Sequence, residues 1–376
     1  MKKMLFETVL SGHRMEYIHH LYMEMLNHSE DQFEIVVAEE FNKRKSDYDW
    51  PASENVLFDF IPQDWADNAN GGNMYVQSWK KSKLLRRYVK KHNPEKVFLI
   101  TLMKFIPFLP FLISSKLKIV SIVYKIYLYE WEDYSLFRKM VEVLKYKIIS
   151  KSGCLDKVFI LNDEASTRYL NYLYKTTKFQ YLVDPFNEID YKPHDIRDEL
   201  NIPKGNRLYI HFGGLQQRKG TIEIVKALGL LSEDDKKNFT VVFAGKVYKD
   251  IREQFYRELD KVKNSCQILV FDNYCSVQFL ADLCYSCDQI LVPYQVMAQS
   301  SGLLGYAAQF KKPVLGPRDG LIGKLIKKYN LGFTIPSVKA SSIAEEMMRR
   351  ESFSPDNRYI EKIKVEKFKQ QIFEHF

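Results

Sequence analysis

Little in this sequence suits an oxidising compartment. Its 376 residues include only five cysteines, Cys154, Cys266, Cys275, Cys284 and Cys287, odd in number and scattered, which argues against a disulfide framework. Cys284 and Cys287 have the spacing of half a zinc site, but no second pair or nearby histidine completes it, and no metal is expected. A secretory leader is lacking too. MKKMLFETVLSGH has a basic tip, but its apolar run is only a strand long and contains Glu7. The expected location is therefore the cytoplasm. The longest apolar run, VFLITLMKFIPFLPFLISS at 97–115, is a poor spanning helix, because Lys104 sits inside it and Pro107 and Pro110 interrupt it. A strand followed by a short helix or hydrophobic loop fits it better. Acidic residues are in deficit: Lys and Arg outnumber Asp and Glu by 56 to 47, giving a net charge of +9. That excess favours an anionic partner, whether nucleic acid, acidic lipid or a phosphorylated small molecule. No recognised DNA- or RNA-binding motif is present, so nucleic acid is not expected.

What the chain does have is material for two cores. Its length exceeds that of one ordinary domain, and 46% of its residues are hydrophobic. Short apolar runs alternate with helical patterns. In the first half the runs are MLFETVL, FEIVVAEE (33–40), NVLFDFIP (55–62), VFLITL (97–102), KIVSIVY (118–124) and DKVFILND (156–163). Residues 186–206 are polar and proline-bearing and read as a linker. The alternation then restarts with RLYIHFGG (207–214), FTVVFAGK (239–246), CQILVFDNY (266–274), QILVPY (289–294), PVLGP (313–317) and GFTIP (332–336). Strand, helix and strand at this spacing imply βαβ units and parallel sheets. The expectation is α/β: two doubly wound, Rossmann-like domains at 1–185 and 207–345, facing across a cleft, with helices at 346–376 crossing back to the first domain. In such sheets ligands sit beyond the carboxyl ends of the strands.

One stretch, HFGGLQQRKG at 211–220, carries chemistry. Gly213 and Gly214 end a strand, where bare backbone lets amides approach a ligand. A helix follows, and its N-terminus favours an anion, to which Arg218 and Lys219 add full charges. The stretch suits a diphosphate, whose developing charge as a leaving group would be stabilised there. His211, within the strand, reads as a packed core histidine.

Strand–FGGLQQRKG–helix resembles the start of the C-terminal domain in the GT-B glycosyltransferases, especially the large retaining nucleotide-sugar family (group 1, family 4-like). The likeness continues through FAGK (243–246), FDNY (271–274), SSGLLGYAAQFKKPVLGP (300–317) and DGLIGKLIKKYNLGF (319–333). The resemblance implies the GT-B fold and a hexosyltransferase-type, retaining, metal-independent enzyme. Its donor would be a nucleotide diphosphate sugar, a UDP- or GDP-sugar, with no further cofactor. The donor site would use Gly213, Gly214, Arg218, Lys219, Gly245, Lys246, Asn273, Tyr274, Ser300, Ser301 and Gly302. The glycan acceptor would meet Gly12, His13 and Arg14 in the first loop, and the catalytic residues would be His13, Arg218 and Lys219.

Three departures from the family pattern stand out. The arginine after the first glycine aligns with Gly214. The two acidic positions around the donor-sugar loop fall on Ala298 and Tyr306, and the acceptor-domain histidine falls near Tyr124. These departures keep open a catalytically inactive GT-B subunit that binds donor or partner, and a nucleotide-sugar epimerase of the same fold. The basic helix KKSKLLRRYVKKH (80–92), with the apolar segment 104–115 and YKIYLYEW (124–131), suggests peripheral contact with an anionic membrane at its inner face. Such contact would suit a lipid-linked acceptor in surface polysaccharide biosynthesis (capsule, O-antigen or exopolysaccharide).

Overall fold

A computed structural model describes residues 1–349, 351 and 353–376. The chain divides into two compact units, Met1–Asp184 together with Val365–Phe376, and Pro185–Lys364.

The first unit is built on a seven-stranded sheet. Its strands are β1 (Lys2–Glu7), β2 (Gln32–Ala38), β3 (Val56–Ile61), β4 (Lys96–Leu99), β5 (Lys118–Val123), β6 (Leu155–Leu161) and β7 (Phe179–Leu182). Their spatial order is β3-β2-β1-β4-β5-β6-β7, and every pairing is parallel. Both faces are covered, so the central strands carry continuous apolar runs, such as Met4–Phe6 and Val97–Leu99, rather than alternating. Met4 and Phe6 of β1 join the core on one face, while Leu5 joins the core on the other. The edge strand β7, FQYL, was not expected: it is short, and its apolar pattern is interrupted by Gln180.

The second unit carries a six-stranded sheet of β8 (Arg207–Phe212), β9 (Phe239–Ala244), β10 (Gln267–Phe271), β11 (Gln289–Leu291), β12 (Val314–Pro317) and β13 (Gly332–Ile335). The order is β10-β9-β8-β11-β12-β13, again parallel. The expected doubly wound α/β class is what both sheets show. In each, the chain winds outward from a central strand and then restarts on its other side. The reversal falls between β1 and β4 in the first unit and between β8 and β11 in the second.

Two boundary expectations need correction. Residues 186–206 are not a free linker but a strap on the second unit. The amide of Ile189 donates to Gln309 Oε1 at 3.0 Å, and Gln309 Nε2 donates back to the Ile189 carbonyl at 2.7 Å. Arg197 binds the Ser286 carbonyl at 3.0 Å and the Asp288 carboxylate at 2.7 Å. Nor does the tail return to the first unit from 346: its described residues up to Lys364 belong to the second. Met347 is buried in the second core, and its carbonyl accepts from the Tyr209 hydroxyl at 2.6 Å. Only the segment from Val365, with helix Val365–Phe373, belongs to the first unit. There Phe368 packs on Tyr17 at 4.8 Å and Lys369 pairs with Glu24 at 3.1 Å. Positions 350 and 352 of that expected tail lie outside the described residues.

The apolar run 97–115 breaks up after β4 into the short turns Leu102–Lys104 and Leu109–Leu112. Phe105, Ile106 and Leu109 are buried in the first core. Among the described residues no helix is long and apolar enough to cross a membrane.

Candidate functional site

The strand order reverses between β8 and β11, and the carboxyl ends of the strands at such a reversal are where sheets of this kind bind ligands. His211 bolts the two sides of the reversal together. Its Nδ1 lies 2.9 Å from the Leu291 carbonyl of β11 and its Nε2 lies 3.0 Å from the Thr221 hydroxyl of helix Thr221–Leu230. Complete burial lowers its pKa to about 4. The ring is therefore neutral, with Nδ1–H donating and Nε2 accepting. It is a core residue, not a site residue.

After β8 the chain turns at Gly213, with φ 83°, and again at Gly220, with φ 72°. Both values belong to the left-handed region that glycine adopts without strain. A Cβ on Gly220 would lie 2.2 Å from the Pro293 carbonyl, so the turn after β8 and the chain after β11 meet backbone to backbone. A Cβ on Gly213 would meet the Lys219 amine at 2.9 Å. The amine is thus folded back against the bare strand end.

Lys219 is the feature of the site that needs explaining. Its side chain is buried, and no carboxylate pairs with it among the described residues. Burial first, and the neighbouring Arg218 charge second, bring its pKa down to about 8. Its amine sits 5.6 Å above the Tyr294 ring, a weakly favourable cation–π contact. A buried cation without a counter-charge is costly, and an anionic ligand would offset that cost. Arg218 is exposed, its Nε donating to Gln216 Oε1 at 2.7 Å and its Nη1 to Gln299 Oε1 at 3.3 Å.

Tyr294 connects this turn to the next. Its buried hydroxyl accepts from Ser301 Oγ at 3.1 Å, and burial pushes its pKa up to about 12. Ser301 Oγ also accepts from the Leu303 amide at 3.3 Å, at the start of helix Leu303–Phe310. Ser300 precedes it, half-buried, and a Cβ on Gly302 would meet nothing within 4 Å. Gly213, Lys219 and Ser301 are thereby brought together, with Tyr294 touching Lys219 and Ser301 and Gln299 holding Arg218; sequence reasoning missed both. Tyr294 was visible only as the last residue of the strand run QILVPY.

The other expected donor residues sit at the ends of the neighbouring strands. Gly245 follows β9 with φ 139°, and a Cβ there would lie 2.1 Å from the Gly213 carbonyl oxygen. Lys246 is exposed, and its carbonyl accepts from the Leu215 amide at 2.9 Å. Asn273 is exposed after β10, and Tyr274 beside it is 90% exposed. Asp272 holds that loop in place, accepting from the Val247 amide and the Tyr256 hydroxyl, each at 2.8 Å. Tyr248, also missed, covers Gly214: a Cβ on that glycine would meet its ring at 2.9 Å. Ala298 is fully buried, and Tyr306 packs between Phe186 and Phe212 at ring distances of 5.3 and 5.1 Å. No acid replaces the pair expected at those two positions, since residues 293–306 contain none. Cys284 and Cys287 are core thiols, and burial pushes Cys287 up to about 12.

In the first unit, Gly12, His13 and Arg14 follow β1, again at a reversal. Gly12 has φ 69° with open space around it. His13 is exposed, with Nδ1 3.3 Å from Glu16 Oε2. Burial alone would raise the Glu16 carboxyl, but the His13 ring at 3.3 Å and the His20 ring at 3.8 Å outweigh it and bring it to about 2. Arg14 is committed inward: its Nε donates to Thr101 Oγ1 at 3.3 Å and lies 3.8 Å from Glu7. Glu7 is buried and accepts from the Thr8 and Val9 amides at 2.8 and 3.1 Å. The buried Lys81 amine donates to the Thr8 hydroxyl. Desolvation lowers its pKa to about 8, while the Glu7 charge works in the opposite direction.

No protein-family model and no curated protein matches the sequence. In three dimensions the chain is similar along its whole length to several solved structures. Anabaena Alr3699/HepE in complex with UDP and glucose matches with a TM-score of 0.68 at 14% identity, over 100% of this chain and 98% of that one. WaaG, a glycosyltransferase involved in lipopolysaccharide biosynthesis, matches at 0.63 and 14%, over 99% and 95%. An α,α-trehalose-phosphate synthase (UDP-forming) from Burkholderia vietnamiensis matches at 0.67 and 10%, over 99% and 98%. At such identities the likeness concerns the fold: this chain has the two Rossmann-like domains of the GT-B class.

Proposed function

We propose that this GT-B protein is a glycosyltransferase that moves a sugar from a nucleotide diphosphate sugar to a glycan acceptor. The observation that carries the reading is the buried Lys219 at the β8–β11 reversal, folded against Gly213 and, among the described residues, paired with no carboxylate. Lys219, Arg218 and the amides of the Gly213–Gly214 turn would hold the diphosphate. Ser300, Ser301 and Gly302 would face the β-phosphate and sugar, and Gly245, Lys246, Asn273 and Tyr274 the nucleoside. In the reaction the bond from the sugar C1 to the diphosphate oxygen breaks and a bond from C1 to the acceptor oxygen forms. The electron pair of the broken bond leaves with the diphosphate, and the charge that develops there is stabilised by Lys219. The acceptor's proton passes to a leaving-group oxygen or to a nearby base, for which His13, held by Glu16, is the candidate in the first domain. No step needs a metal in this scheme, and the outcome would be retention.

UDP is the first nucleotide to test, because UDP and UDP-glucose occupy the HepE structures. We place the activity in the cytoplasm, in the assembly of a bacterial surface polysaccharide on a lipid-linked acceptor. One observation favours a second reading, a GT-B subunit that binds donor without turnover: Ala298 and Tyr306 stand buried or ring-packed where acids were expected. The test is a thermal-shift panel of UDP, GDP, dTDP, CMP and their sugars on wild type and Lys219→Ala. Binding to the folded state raises Tm by mass action. A shift with one diphosphate family, lost in Lys219→Ala, supports the donor site. No shift at millimolar ligand on folded protein overturns it. Turnover of the bound sugar nucleotide with added acceptor then separates enzyme from inactive subunit.

A further inference from the structure

The helix Leu136–Lys151 is apolar on two sides. Its inward side is ordinary, with Tyr146 and Ile149 fully buried in the first core. Its outward side should be polar. Instead Leu136, Phe137, Met140 and Leu144 are 80%, 74%, 70% and 56% exposed. Their spacing of three, four and seven or eight residues sets them along one stripe of the helix. The stripe does not stand alone. Lys145 Nζ lies 3.5 Å from the sulfur of Met74, an exposed residue at the start of helix Met74–His92. One turn further along that helix, exposed Trp79 packs edge-on to Phe108 at 5.5 Å, in the segment that carries Phe111, itself 75% exposed.

Charge in this part of the chain is mostly basic; four of its five acids, Glu130, Glu132, Asp133 and Glu142, lie in or beside the helix, and Glu130 and Glu142 are paired with Lys125 and Lys145. Between residues 74 and 151 the sequence has 17 Lys and Arg against 5 Asp and Glu, an excess of 12 that exceeds the +9 of the whole chain. Lys139 lies 5.2 Å over the Trp131 ring and Lys83 lies 5.6 Å over Trp79, so cations stand beside exposed indoles. The sequence-based expectation placed membrane contact on the basic face of residues 80–92 and the runs 104–115 and 124–131, and did not include helix Leu136–Lys151. Much of that is used internally: Arg87 stacks on Trp65 at 3.9 Å, Lys80 binds Asn68 at 2.7 Å, and Phe105, Leu109 and Tyr127 are buried.

We infer that the outward stripe of helix Leu136–Lys151, with Met74, Trp79 and Phe111, is a docking surface for an anionic lipid bilayer. The aliphatic and aromatic tips would enter the headgroup–acyl boundary, and the surrounding lysines and arginines would meet the lipid charge. A second copy of this chain is a poorer occupant, because it would bring the same basic excess against itself. The inference does not depend on the donor-site reading and is tested without nucleotide.

The experiment is co-sedimentation of the full chain with vesicles of phosphatidylglycerol and phosphatidylcholine, and with phosphatidylcholine alone. Wild type should bind the mixed vesicles and bind the neutral ones at least about tenfold more weakly, as several charge contacts of about 1 kcal/mol each imply. The double variant Phe137→Glu, Met140→Glu should lose about tenfold or more on mixed vesicles while its Tm stays put, since both positions are exposed. Lys83→Glu with Lys139→Glu should weaken binding and flatten its salt dependence. Three results would overturn the inference: wild type that ignores the mixed vesicles, an apolar double variant that binds as wild type does, or a wild-type dimer that the double variant dissociates while vesicle binding is absent.

Discussion

The two sheets reverse their strand order in the same way and treat charge at the reversal differently. Beside β1, Arg14 lies near the buried Glu7, which accepts from two backbone amides, and Lys81 is bonded to Thr8. That cluster carries its own counter-charge. Beside β8, Lys219 is buried with Arg218 as its charged neighbour and, among the described residues, no carboxylate paired with it. Shared topology therefore creates two reversals, and the charge left unbalanced at the second is what suits it to an anion. The glycines tell the same story. Gly12 turns in open space, whereas Gly245 and Gly213 are pressed together so closely that no side chain fits between them.

That contrast can be tested first through the glycines. Gly245→Ala puts a Cβ 2.1 Å from a backbone oxygen at a positive φ, so it should cost on the order of 3 kcal/mol or more in urea unfolding. Gly12→Ala should cost only its left-handed strain, about 1 kcal/mol. Equal losses at the two sites would erase the distinction.

The lysines come next. Lys219→Ala should weaken UDP binding by about 10- to 100-fold, the value of one charge-assisted hydrogen bond at about 1.5–3 kcal/mol. Lys81→Met should leave UDP affinity within about twofold by calorimetry. A large effect from Lys81 would mean that the donor site is not confined to the second reversal.

A titration sharpens the point. The folded pKa of Lys219 is lowered to about 8, so its charge is present below that pH and is lost above it. UDP affinity should fall as pH rises through about 8. Lys219→Arg, charged throughout, should abolish that limb. For stability the sign is opposite: between about 8 and the unfolded value near 10.5 the unfolded chain holds the extra proton, so Lys219 adds stability as pH rises. His211, lowered to about 4, also favours higher pH, and its contribution is lost as pH falls from about 6.5 towards 4, by on the order of 3 kcal/mol. Acid melting curves of His211→Gln should lose that part of the slope.

Among the donor-site variants the smallest effect expected is that of Ser301→Ala. It removes one hydroxyl that Tyr294 and the Leu303 amide share, and it should weaken UDP-sugar binding by a few-fold while leaving UDP nearly unchanged.

Much of this fold was legible in short apolar runs. Six of the seven strands of the first sheet and all six of the second overlap runs visible in the sequence, because a parallel strand buried on both faces carries a continuous apolar segment. The exception, β7, lies at an edge and packs against less. The turn at 213–220 was legible for the same local reason, since glycine and adjacent cations after a strand are neighbours in the chain. Tyr294 was not legible. Its role comes from a contact with Lys219 across 75 positions of sequence, and nothing in VPY distinguishes a ring under an amine from a ring in a core. The strap at 186–206 was misread because its polarity resembled a linker, and the helix at 136–151 was not read at all.

By itself the sequence determined the alternation of strands and helices, the two sheets, and the glycine turn with its two cations, because each depends on residues within a few positions of one another. Only the tertiary structure decided that Lys219 is buried and, among the described residues, paired with no carboxylate, that Tyr294 and Ser301 stand beside it, and that one side of helix Leu136–Lys151 faces out. Burial and charge balance are sums over neighbours in space, and folding chooses those neighbours from distant parts of the chain.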